Sequence, residues 1–218
     1  EIMVERLRRV YNVNPRVGRP QVVYREAITS DAQGTAVFER ELREEAIYGK
    51  VSCEITPLPR GSGSTFESTL PEEFPEVLVE AAMQGLRDAA QSGPSGYPLE
   101  DVGVTLTSVE FRDEAQPSIG VRAAAAEAFR KATRDANPIK LEPIMEVEIT
   151  TPEESLGAII GDLNQRSGQI LDVDAQITKH VVQAKVPLAK MFGYATKIRT
   201  LSSGRAEFSM RFSAYDSA

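Results

Sequence analysis

Between Met145 and Phe212 the spacing of apolar residues switches repeatedly between two and about 3.6 residues, and few folds accept that order of periods. Met145, Val147 and Ile149 alternate with Glu146 and Glu148, as a half-buried strand does. Leu156, Ile159, Ile160 and Leu163 then fall on one helical stripe. Thr151-Pro152-Glu153-Glu154 predicts a capping box before that helix, with proline at its first position, and Gly168 predicts its end. Leu171, Val173 and Ala175 form a second alternating run. Val182, Ala184 and Val186 form a third, with Lys179, Gln183 and Lys185 facing the other way. Leu188, Met191, Phe192, Ala195 and Ile198 make a second helical stripe that Gly204 closes. Phe208, Met210 and Phe212 alternate with Glu207, Ser209 and Arg211 as a last strand. The order is β-α-β-β-α-β. Two helices on one face of a four-stranded antiparallel sheet bury every one of these apolar faces, which is the ferredoxin-like arrangement.

Residues 20–142 also read as α+β, so the chain is expected to hold two domains. Val51, Cys53 and Ile55 alternate, as do Val102, Val104 and Leu106. A helix near 74–91 puts Val77, Leu78, Ala81, Ala82, Gly85, Leu86 and Ala89 on one face, and Gly93-Pro94 stops it. A helix near 117–135 carries Val121, Ala124, Ala125, Ala128, Phe129 and Ala132, and Asn137-Pro138 stops it. The small alanines suit close packing of helix on sheet. The junction is expected between Asp135 and Leu141. Ile2, Met3, Leu7 and Val10 have helical spacing with no cap before them, so this stretch is expected to be the end of a preceding domain.

Charge is distributed unevenly. The net charge is −7, yet residues 1–19 hold five arginines against two acids, residues 20–142 sum to −9 and residues 143–218 to −1. A broad basic face for nucleic acid is therefore not available, and any RNA contact has to be local, through a loop or a helix end. No apolar run approaches the roughly 18 to 20 residues of a membrane helix, and the charged start, Glu1 to Arg6, does not resemble a signal peptide. A single cysteine, Cys53, excludes an internal disulfide framework and suits a reducing cytoplasm. One cysteine and one histidine argue against a zinc site, and no metal site is expected.

Several long, collinear strings resemble elongation factor G. They are Leu141-Glu142-Pro143-Ile144-Met145, Ile160-Gly161-Asp162-Leu163-Asn164 and Arg166-Ser167-Gly168-Gln169-Ile170-Leu171. The most specific runs from Val186-Pro187-Leu188-Ala189-Lys190 through Met191-Phe192-Gly193-Tyr194-Ala195-Thr196. Upstream, Tyr24-Arg25-Glu26, Pro57-Leu58-Pro59-Arg60-Gly61-Ser62-Gly63 and Gln91-Ser92-Gly93-Pro94 are similar to the preceding domain of the same family, and Val17-Gly18-Arg19-Pro20-Gln21 to the linker that enters it. The resemblance covers essentially the whole chain.

It implies the following. Residues 1–19 would be the tail of a third domain and a linker. Residues 20–140 would be the elongated fourth domain, with a left-handed β-α-β crossover, and residues 141–218 the ferredoxin-like fifth domain. The family's C-terminal helix would follow Tyr215 and is expected to be missing here. The family binds the ribosome and drives movement of transfer and messenger RNA, or splits ribosomes during recycling. Its GTP and Mg²⁺ sit in an N-terminal domain, and no G-x-x-x-x-G-K-[ST] loop occurs here, so this fragment is expected to bind no cofactor and to catalyse no reaction. The implied partners are the small-subunit decoding site, the sarcin–ricin loop and the stalk base of the large subunit, met by a cytoplasmic monomer.

Two departures from the family mark the fourth-domain tip. Its glycine-rich loop is replaced by Arg43, Glu44, Glu45, Ala46 and Ile47 before Tyr48-Gly49, and its aromatic-His-Asp string by Phe111-Arg112-Asp113. Glycines let backbone approach a phosphate, whereas glutamates repel one. The implied large-subunit contacts are Arg166, Met191, Phe192, Gly193, Tyr194 and Arg199. Several of these residues, and those at the tip, have a plainer reading. Arg112 could be a solvated loop residue, Glu44 and Glu45 a charged hairpin end that discourages edge aggregation, and Arg166 and Arg199 cations near helix C-termini. His180 and Cys53 read as structural, Glu153-Glu154 as capping acids, and no nucleophile–base constellation stands out from the sequence. Two other readings remain open from sequence: a tetracycline ribosomal-protection relative, and a stand-alone enzyme on a ferredoxin-like scaffold.

Overall fold

The computed structural model describes residues 14–16 and 19–217. The expected upstream tail falls largely on residues outside these, which include only a short antiparallel ladder, β1 (Asn14–Arg16) with β2 (Arg19–Gln21). Beyond it the chain divides into two compact units, one spanning Arg25–Lys140 and one built from Leu141 onward together with residues 22–24.

In the first unit, β3 (Arg25–Ala27) is followed by two long strands, β4 (Ala32–Leu42) and β5 (Glu45–Pro57), which pair antiparallel along their whole length. Then come β6 (Thr65–Ser68), α1 (Glu76–Ala90), β7 (Val102–Phe111) and α2 (Pro117–Asp135). The sheet order is β4-β5-β7-β6. β6 and β7 run parallel as neighbours, so α1 is the crossover of the expected β-α-β unit. Val51, Cys53, Ile55, Val102, Val104 and Leu106 are buried beneath Leu86, Ala124, Ala125, Ala128 and Phe129 of the helices.

The small residues bring α2 down onto the strands. A Cβ on Gly34 would overlap the Ala128 carbonyl oxygen, and one on Gly49 would overlap the backbone of Gly120. Val77 departs from its expected place on the buried face of α1. It is 66% exposed, and its neighbour Leu78 takes the buried position in the first turn instead.

The second unit has β8 (Ile139–Thr151), whose first two residues belong to the first unit. After it come α3 (Glu153–Gln165), β9 (Gln169–Ala175), β10 (His180–Pro187), α4 (Tyr194–Ser202) and β11 (Glu207–Ser217). The strand order β11-β8-β10-β9, antiparallel throughout, is the ferredoxin-like sheet. Met145, Val147, Ile149, Val182, Ala184 and Val186 meet Ile159, Leu163 and Ile198 in its core.

Three local expectations change. The expected capping box does not form. Thr151 is still in the strand and its hydroxyl turns to the Pro152 carbonyl, so Pro152 itself is the N-cap and makes no side-chain cap bond. The expected second helix is two pieces. A 3₁₀ turn, Leu188–Lys190, and α4 are separated by Gly193, whose φ of 77° no helix accommodates. In β9, Leu171 and Val173 are exposed. A register shift opposite Gln183/Ala184 sets Ile170, not Leu171, across from buried Ala184, and Ile170 packs against the core.

Candidate nucleic-acid interface

β4 and β5 outrun β7. The last rung joining β5 to β7 pairs Gly49 with Phe111, while β4 and β5 continue to the Leu42–Glu45 pair that closes the turn Arg43-Glu44. Four residues of β5, Glu45 to Tyr48, therefore project about 13 Å past the sheet. The loop that follows β7 folds back onto this projection. Tyr48 donates its N–H to the Ala115 carbonyl at 2.9 Å, and Gln116 Nε2 donates to Glu45 Oε2 at 2.8 Å. Arg112 lies 3.9 Å from the centre of the Tyr48 ring and pairs with Glu39 Oε1 at 3.3 Å. The two expected tip stretches thus meet at one end of the unit, and all of Arg43, Glu44, Glu45, Arg112 and Asp113 are exposed there. Phe111 is half-buried, edge-on to Phe74 with ring centres 5.8 Å apart.

The pairing register adds residues that sequence reading left out. Glu39, Arg40 and Glu41 lie beyond the Phe38–Gly49 rung and belong to the same projection. With them the tip carries three arginines, at 40, 43 and 112, against six carboxylates, at 39, 41, 44, 45, 113 and 114. Nothing in the local sequence marks Glu39 as the partner of Arg112, because 73 residues separate them and only the strand register brings them together.

The opposite end of the unit, roughly 40 Å away along β5, explains three of the strings singled out from sequence. Glu26, 1% exposed, accepts the N–H groups of Ser95 and Tyr97. Gly93 leaves room for that carboxylate, since a Cβ there would lie 2.6 Å from Glu26 Oε2 and push it from its place. Asp101 accepts the N–H groups of Gly61 and Gly63 and pairs with Arg60 at 3.3 Å. These buried carboxylates tie down two loops at the end away from the tip.

In the second unit the expected contact residues separate into two groups. Met191 and Tyr194 are buried, whereas Phe192, 39% exposed, stands outside the core with Gly193 beside it. Arg199 is exposed in the last turn of α4. Arg166 turns inward. Its Nε donates to Asp162 Oδ2 at 2.8 Å, and one terminal nitrogen donates to the Lys190 carbonyl at 2.6 Å and reaches the Phe192 carbonyl at 3.4 Å. Its guanidinium lies 5.0 Å from the Tyr194 ring centre. Burial pushes the Tyr194 phenol well above its ordinary range, and the hydroxyl has no hydrogen-bond partner. Among the described residues no group of three or more His, Cys, Asp and Glu side chains gathers for a metal ion, and no helix is long and apolar enough to cross a membrane.

Comparison with known proteins agrees with this geometry. Residues 20–137 match the family described as elongation factor G, domain IV, and residues 139–218 match elongation factor G C-terminus. The chain belongs to the elongation factor G family. It is 43% identical to elongation factor G of Aquifex pyrophilus and 42% identical to elongation factor G 1 of Bdellovibrio bacteriovorus, in each case over 99% of this chain and 31% of the relative. The chain thus spans about a third of the length of these elongation factor G relatives. A crystal structure of a protein from Thermus thermophilus superposes with a TM-score of 0.81 at 28% identity, covering 91% of this chain and 30% of that one. In elongation factor G terms, the projecting hairpin belongs to domain IV and the Phe192 turn to the C-terminal match.

Proposed function

We propose that this chain is the ribosome-binding C-terminal part of an elongation factor G-type translational GTPase that acts in the movement of transfer and messenger RNA or in ribosome recycling. GTP and Mg²⁺ would bind elsewhere in the parent protein, a cytoplasmic monomer. The tip of the first unit would enter the small-subunit decoding site, and the Phe192 turn with Arg199 would face the sarcin–ricin loop and stalk base of the large subunit.

The observation that supports this reading is the projecting tip itself. A two-stranded ribbon reaching past its own sheet, braced by the Arg112 loop and with no residue in a core, is suited to entering a cleft in a partner. Its charge sets the mode of contact. Six carboxylates oppose phosphate, so RNA contact falls to the arginines and to backbone. Arg112 remains available, because its pair with Glu39 is exposed on both sides and such pairs are worth at most about 1 kcal/mol. The test is co-sedimentation of the chain with purified ribosomes at two salt concentrations. Saturable binding that weakens with salt supports the reading. Binding of small metabolites instead would favour the stand-alone enzyme.

A further inference from the structure

Arg166, implied by the resemblance as a large-subunit contact, turns its side chain onto its own unit. Its guanidinium touches four things at once: the Asp162 carboxylate, the carbonyl oxygens of Lys190 and Phe192, and the face of Tyr194. Its side chain is only 18% exposed. A residue that meets RNA phosphate offers its N–H groups to solvent, whereas here Nε is spent on the Asp162 carboxylate and one terminal nitrogen on two backbone carbonyls. The two carbonyls flank Met191, which is buried, and the next residue after the turn, Tyr194, is buried as well. The turn is thereby pinned at both ends, and the Gly193 backbone (φ 77°) lets the chain leave it without pulling Phe192 inward.

We propose that Arg166 is a positioning residue that holds the Met191–Gly193 turn so that Phe192 stands in solvent as a stacking surface for one unpaired RNA base. The proposal rests on the ribosome-binding reading and assigns a division of labour within it. Asp162 orients the guanidinium, Tyr194 lies against its face, and Phe192 makes the base contact. An exposed aromatic ring on a rigid turn suits a base that has left its stack, since every base presents a π-face and ordering the ring in advance lowers the entropy lost on binding. Lysine would not substitute for Arg166, because an ammonium lacks the planar fork that reaches carboxylate and carbonyl together.

The chain has no tryptophan, so Phe192→Trp introduces a single fluorophore at the proposed contact. This variant is titrated with a short RNA hairpin whose loop holds unpaired purines, and with a fully paired RNA duplex of equal length. Loop RNA should quench the introduced indole and the duplex should not. In the native background Phe192→Ala should weaken loop binding by roughly five- to a hundredfold, the range for stacking one base on one ring. Adding Arg166→Ala or Arg166→Lys to Phe192→Trp should lower the fluorescence anisotropy of the indole and weaken loop binding, whereas Tyr194→Phe should change neither. Should Arg166→Ala fail to fold, Arg166→Lys carries the comparison, with thermal melting as the control. Unchanged anisotropy and affinity in a folded Arg166 variant would overturn the positioning role. If the duplex quenches as well as the loop, or neither quenches while the chain still binds ribosomes, the base-stacking role is overturned and the ribosome reading stands. Quenching by loop RNA without any ribosome binding would sink that reading instead.

Discussion

Arg112 illustrates how a single side chain can be read two ways until its neighbours are known. Local sequence offers a solvated loop arginine; the fold gives it an aromatic face and a carboxylate partner that is itself exposed. If it exchanges Glu39 for RNA phosphate on the ribosome, Arg112→Ala should reduce the salt slope of ribosome binding by about 0.9. Glu39→Gln should strengthen binding instead. Measuring affinity at several salt concentrations checks both, and a slope unchanged by Arg112→Ala returns the residue to the plainer reading. Tyr194 supplies a stability test. Its buried hydroxyl is unpartnered, so Tyr194→Phe should leave the melting temperature unchanged or raise stability by up to about 1 kcal/mol, because an unsatisfied buried polar group is costly. Cys53 is expected to be inert. Burial pushes its thiol up to about 12, and the thiolate is the reactive form, so a thiol reagent at mildly alkaline pH should modify it only after denaturation.

At the level of elements, the period of the apolar residues carried most of the fold. Alternation at Val51–Ile55 and Val102–Leu106, and the alanine stripe of α2, all landed on the buried faces expected of them. The break inside the stripe from Leu188 to Ile198 was not legible, because apolar spacing is blind to a single left-handed residue and Gly193 looked like any small helical position. The slip in β9 was hidden for a related reason. A one-residue bulge exchanges the two faces of a strand without altering its composition. The tip was legible only in outline, since its partners come from strand register and not from spacing. Glycines give the sharpest check at this scale. Gly161→Ala meets nothing within 4 Å on the exposed side of α3 and should stabilise the chain by about 0.5–1 kcal/mol. Gly34→Ala, driven against the Ala128 carbonyl, should destabilise it by about 1–3 kcal/mol or prevent folding. Urea denaturation measures both, and equal effects at the two sites would contradict the close packing of α2 on β4.

For the molecule as a whole, net charge misled less than it first suggested. A chain at −7 overall can still contact RNA through a few local groups, and the proposed ones sit at a hairpin end, a turn and a helix end. The base of the first unit should respond to pH. Burial raises the Glu100 carboxyl, with the Asp101 charge adding to it and Arg25 opposing it. A raised folded-state value means its contribution to stability is full below the ordinary carboxylate range and is lost as pH rises through the raised one. Glu100→Gln should flatten that part of the melting profile. Calorimetry with GTP and GDP should show no heat of specific binding, and micromolar affinity would contradict the assignment of nucleotide binding to the rest of the parent. The most direct test of the central claim is equilibrium binding of this chain to purified ribosomes, with Arg112→Ala and Phe192→Ala beside it. Saturable binding that weakens with salt and is reduced in both variants is the expected result. No binding at low salt, or binding indifferent to both substitutions, would contradict the claim.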